Sequence, residues 1–67
     1  MRFKEGDRVK IQTTDTFNGL LGHVRGTEEG GYLVRLLCAE NPGIEEFRCK
    51  TDLHFGWNEL VDAGGPW

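Results

Sequence analysis

Apolar residues recur at every second position in short runs, and glycine, asparagine and aspartate break those runs before a helical period can establish itself. In residues 7–13, Val9 and Ile11 share one face while Arg8, Lys10 and Gln12 take the other, the period-two signature of a half-buried strand. Residues 20–25 form a second run, interrupted by Gly22, where a sharp bend or the close approach of another backbone is expected. Residues 32–37 are the most apolar stretch and predict the central strand, with Tyr32, Val34 and Leu36 on one side and Leu33, Arg35 and Leu37 on the other. After a turn at Asn41-Pro42-Gly43, residues 45–49 predict an edge strand studded with charge that sends Phe47 and Cys49 inward. Residues 51–56 read as a connection, and residues 57–61 as a short turn and the last strand. Two polar segments, 14–19 and 26–31, read as loop and turn, and Phe17 in the first is expected to fold back over the core.

A chain of 67 residues has room for one such core, because a domain this small buries only about 60% of the surface its unfolded form exposes. Curling a single sheet on itself is how five short strands each bury one face at this size. The fold class read from the pattern is therefore all-β, a single five-stranded small barrel over residues 1–62, with residues 63–67 as a loose tail. The uncharged run 16–22 is far short of the roughly 20 apolar residues of a spanning helix. With no secretory leader at its start, the chain reads as cytoplasmic and without a membrane partner.

Charge is uneven: residues 1–25 carry a net +2 and residues 26–67 a net −5, within a formal total of −3. General nucleic-acid binders usually carry an excess of lysine and arginine, since neutralising phosphates supplies much of their affinity. That excess is missing here, which disfavours nucleic acid as the partner and leaves only a local basic strip for such work. Cys38 and Cys49 read as free thiols that act as small buried apolar residues in a reducing compartment. A hairpin centred on the Gly43–Ile44 bond would set them face to face, so pairing stays geometrically open. The spacing of Cys38, Cys49, His23 and His54 matches no compact zinc-ligand pair. The strip Gly19-x-x-Gly22 lacks the lysine and the helix of a phosphate loop, and His23, pointing outward beside Val24, has no nucleophile placed for it. No cofactor, no metal and no enzymatic activity are expected.

The series Phe3-x-x-Gly6-Asp7-x-Val9-x-Ile11, Phe17-x-Gly19-x-x-Gly22-x-Val24, Tyr32-x-Val34-x-Leu36 and Glu59-Leu60-Val61 resembles small SH3-like barrels, and looks most like the KOW and related bacterial modules. Such modules often bind RNA or accompany nucleic-acid machinery through basic loops, whereas the turns here hold Glu28, Glu29, Glu45 and Glu46. The closing Glu-Leu-Val is also similar to the small-barrel subunits of photosynthetic electron-transfer complexes, which act as docking surfaces. A third likeness is to type II dihydrofolate reductases, with a Gly-Asp-x-Val start, a Gly-Tyr-x-Val strand and a Pro-Gly turn. Where those enzymes carry the Val-Gln-Ile-Tyr of their active pore, this chain reads Ile44-Glu45-Glu46-Phe47, so the activity is not carried over.

The chain has seven aromatic residues, and a barrel this small cannot bury them all. Phe17, Tyr32, Phe55 and Trp57 are the candidates for a partner-binding rim made by segments 14–19, 26–31 and 55–57, since rigid rings give contact area at little entropic cost. The expected function is a non-catalytic binding or adaptor module docking on a protein or nucleoprotein, of the kind found in phage or bacterial accessory regulators, with acidic turns suited to a basic partner. The alternative is direct RNA or DNA binding through Arg8, Lys10 and Arg25, joined by Arg2 and Lys4, with Tyr32 or Trp57 stacking on bases. A homo-oligomer of the reductase kind is a third reading.

Overall fold

The structure, a computed structural model, describes residues 3–63, so the expected tail beyond Ala63 lies outside the described residues. Five strands form one antiparallel sheet: β1 (Arg8–Ile11), β2 (Leu21–Glu28), β3 (Gly31–Leu36), β4 (Leu53–Gly56) and β5 (Leu60–Asp62). Their order is β4-β3-β2-β1-β5. The sheet is open, with β4 and β5 as its two edges, in place of the closed barrel expected above. Three-residue β5 spends its pairing on β1, with Ile11 opposite Leu60 and Val9 opposite Asp62.

Alternation decides what is buried. Val9, Ile11, Val24, Val34, Leu36 and Leu60 form the inner face with Phe3, Tyr32 and Phe55, and Phe17, Leu20, Ile44 and Leu53 pack against them. A bulge between Val24 and Gly26 shifts the β2–β3 register, and strand β2 runs on through Glu28. The turn expected over residues 26–31 accordingly shrinks to its tip.

Two expectations about the fourth strand are corrected. Residues 45–49 are not a strand: Glu46–Cys49 is a 3-10 helix, preceded by another at Cys38–Glu40. The position beside β3 goes instead to β4, drawn from the segment read as a connection, with Leu53 opposite Val34 and Phe55 opposite Tyr32. Ion pairs at helical spacing, Glu45 with Arg48 and Glu46 with Lys50, suit residues 45–50 to a helical turn. Phe47, expected inside, is 62% exposed as a result.

Glycine permits two close approaches. At Gly22, as the sequence suggested, an added methyl would come within 2.8 Å of the Arg35 carbonyl oxygen and of a Val34 methyl. At Gly31 it would overlap the Phe55 carbonyl oxygen and lie 2.9 Å from the Gly56 Cα, so β4 can pair with β3 only because residue 31 has no side chain. Gly31→Ala is expected to destabilise the domain by about 1–3 kcal/mol by prising β4 off the sheet. Chemical denaturation would read the loss, and an unchanged midpoint would show that β4 is not held this closely.

Candidate functional site

The loop between β1 and β2 is built by short polar side chains bonding to nearby backbone. The Asp15 carboxylate accepts from the Thr13 hydroxyl at 2.6 Å and from the Phe17 N–H at 2.9 Å, and Asn18 Oδ1 accepts the Thr13 N–H at 3.1 Å. The Thr13 hydroxyl, then the Phe17 N–H, hold the Asp15 carboxyl below the usual carboxylate range. The chain leaves this loop through Gly19, whose φ of +89° is a left-handed position that favours glycine. Phe17 is thereby held edge-on against Phe55, with ring centroids 5.8 Å apart.

Opposite this loop lies the segment between β3 and β4. Asn41 is 5% exposed and works as a substitute strand residue. Its Oδ1 accepts the Leu21 N–H at 2.8 Å, while its Nδ2 donates to the carbonyls of Leu21 at 2.8 Å and Leu37 at 2.7 Å. Cys38 and Cys49 are joined in a disulfide across Cα atoms 5.7 Å apart, which corrects the reading of two free thiols. Both sulfurs are thus taken, and among the described residues no cluster of histidine, cysteine and carboxylate is grouped to hold a metal.

Between the two segments runs a groove of about 340 Å3, with Phe17 and Leu20 on one wall and Pro42, Ile44, Glu45 and Arg48 on the other. The Arg48 guanidinium stands 5.5 Å from the Phe17 ring centroid and 5.3 Å from that of Phe47, and its Nε donates to Glu45 at 3.1 Å. Arginine over two ring faces is a stable cation–π arrangement. It also leaves the outer side of Phe47 exposed beside the groove.

Of the four expected rim aromatics, the structure brings only Phe17 to this groove. Tyr32 and Phe55, 2% and 4% exposed, are core residues, which corrects their assignment to the rim. Both sit at inward positions of paired strands, and the Tyr32 hydroxyl accepts the Phe3 N–H at 3.3 Å. Trp57 is 41% exposed on the turn from β4 to β5, its ring edge-on to Tyr32 at 4.9 Å. That turn is closed by Glu59, whose carboxylate accepts the Gly56 N–H at 2.7 Å. No known protein family, curated protein or solved structure matches this chain.

The basic strip lies on the outer face of the sheet, where register sets Arg8, His23 and Arg35 side by side across β1, β2 and β3. Arg8 is ion-paired with Glu40, and Arg25 and Arg35 share Asp52 at 3.6 and 2.9 Å, while Lys10 is exposed. Burial, then the Arg25 and Arg35 charges, push the His23 imidazole below its ordinary value, with Asp52 opposing. A proton therefore binds the unfolded chain more readily than the folded one. The stability owed to neutral His23 is complete above the ordinary imidazole value and declines as pH falls through it. His23→Gln is expected to flatten this part of the profile, read from urea midpoints between mildly basic and mildly acidic pH. An unaltered slope would assign the dependence elsewhere.

Phe47, Arg48, Pro42 and Ile44 are the site residues that sequence reasoning missed. The signal for them was the charge spacing of Glu45 with Arg48 and Glu46 with Lys50, which belongs to a helical turn and not to an edge strand.

Proposed function

We propose that this chain is a non-catalytic binding module of the SH3-like kind, built on an open sheet, and that it docks an extended, basic segment of a protein partner in the groove between Phe17 and Arg48. The observation that carries this reading is a walled groove flanked by an exposed phenylalanine, since aromatic rings at a pocket edge are favoured anchors for partners. The order β4-β3-β2-β1-β5, with β5 returning to pair with β1 after a short turn, supports the SH3-like part of the proposal. The net charge of −3, with Glu45 in the groove lining, favours a lysine- or arginine-bearing occupant.

Selection of a random peptide library on the disulfide-bonded protein, followed by amide chemical-shift mapping with a selected peptide, tests the proposal. Peptides combining an apolar anchor with basic residues are expected, with shifts centred on Phe17, Ile44 and Phe47. Phe47→Ser is expected to weaken them about tenfold or more. No enrichment, or shifts away from the groove, would refute it.

A second reading rests on the Arg8, His23 and Arg35 row and on Lys10 beside it: phosphate backbone lying across the outer face. Titration with single-stranded RNA and duplex DNA at low and moderate salt decides this one. Saturable binding that falls steeply with salt would favour it over peptide docking.

A further inference from the structure

The segment between β3 and β4 is fastened in two places, and the two fastenings differ in kind. Its first half is held by the Asn41 side chain, which bonds to the backbone of Leu21 and Leu37 and is buried against the sheet. Among the described residues the second half has no such anchor: its hydrogen bonds and ion pairs close on itself. Arg48 N–H donates to the Glu45 carbonyl at 3.0 Å, Lys50 N–H to that of Phe47 at 3.3 Å, and the side chains pair as Glu45 with Arg48 and Glu46 with Lys50. Among the described residues, what ties 45–50 to the rest of the domain is a small contact of its helical turn with β3, the Cys38–Cys49 bond and the stacking of Arg48 on Phe17. Glu45 and Arg48, from this half, complete the groove wall that Pro42 and Ile44 begin.

Both cysteines are half-buried, so the bond lies within reach of a reductant. We infer that the Cys38–Cys49 disulfide is a redox latch on the groove: a dithiol reductant that opens it frees residues 45–50, removes the part of the wall made by Glu45 and Arg48, and leaves the sheet folded. This rests on the docking role proposed for the groove and gives that site its regulation. In the step, one thiolate of the dithiol attacks a sulfur of the bridge, forming a mixed disulfide and releasing the other cysteine as thiolate. The second thiol of the reductant then displaces the first cysteine. Two electrons and two protons pass to the protein, which ends with two thiols while the reductant ends as a disulfide. By linkage, an occupant that needs the closed wall makes the bridge harder to reduce.

The test compares the intact chain before and after reduction by dithiothreitol, using amide exchange, far-ultraviolet circular dichroism and the ring-current shifts of the Arg48 side-chain protons. Reduction is expected to abolish the Arg48 ring-current shifts and the exchange protection of the Arg48 and Lys50 amides. Val9, Val24 and Val34 should stay protected and the strand spectrum unchanged. A library-selected peptide, or failing one the lining-residue shifts alone, is expected to report a groove closed only when oxidised. If Arg48 keeps its shifts after reduction, or if the whole sheet unfolds, the latch is overturned. Cys38→Ser with Cys49→Ser should match the reduced chain, and a double variant with Arg48 still stacked would count against the proposal equally. Failure to select any peptide, with the Arg48 response intact, would refute the docking reading and not the latch.

Discussion

Asn41→Ala is expected to lower the stability of the domain by about 1–3 kcal/mol, because it strips the partner from the Leu21 N–H, while the Leu37 carbonyl keeps the Glu40 N–H and the Leu21 carbonyl keeps the Leu37 N–H. Each buried backbone group left without a partner costs about 1–3 kcal/mol. A domain of 67 residues has roughly 3–10 kcal/mol in all at typical per-residue stability, so one side chain holds a large share of it. Asn41→Asp tests the donor separately. Its second oxygen would face two carbonyls, so the folded state would favour the protonated acid and raise its pKa. The stability of this variant should then improve as pH falls toward the acid form, and be lost as pH rises through the folded value. Urea midpoints at constant slope measure both effects. A change under about 0.5 kcal/mol in Asn41→Ala, the size usual for surface substitutions, would show that water replaces the amide without loss.

Removal of the Cys38–Cys49 bond is the second large effect. Closing a loop with a sequence separation of 11 restricts the unfolded chain enough to stabilise the fold by about 3 kcal/mol in the chain-entropy description. For a domain of this size about 1 kcal/mol moves the thermal midpoint by about 4–8 °C, so reduction is expected to lower it by about 12–24 °C. Thermal melts with and without a phosphine reductant read the shift, and Cys38→Ala with Cys49→Ala should reproduce it. Equal midpoints would mean that the segment is already confined in the unfolded ensemble.

The distribution of these effects follows from what period-two reading can see. Val9, Ile11, Val24, Val34 and Leu36 were legible because burial on one face of a strand leaves an alternating trace in the residues themselves. Segment 45–49 defeated the same reading. Glu45-Glu46-Phe47-Arg48-Cys49 alternates as a charged edge strand would, yet its acids and bases are also spaced for a helical turn. Leu53-His54-Phe55 carried the right alternation but is too short to stand out beside the turn residues around it. The groove was half legible: Phe17 was expected to fold back and does, while its partners came from the misread segment.

What the residues alone determined is the all-β character, the one-core size and the inner face of β1, β2 and β3, because those depend on local alternation and on chain length. Which segment pairs with β3, whether the two cysteines meet, and which aromatics face outward were decided only in three dimensions. Each of these is a competition between distant pieces of chain for the same neighbour. Leu53 outbids residues 45–49 for the edge because Gly31 lets the β4 backbone come close and because Asn41 draws the intervening chain down onto Leu21.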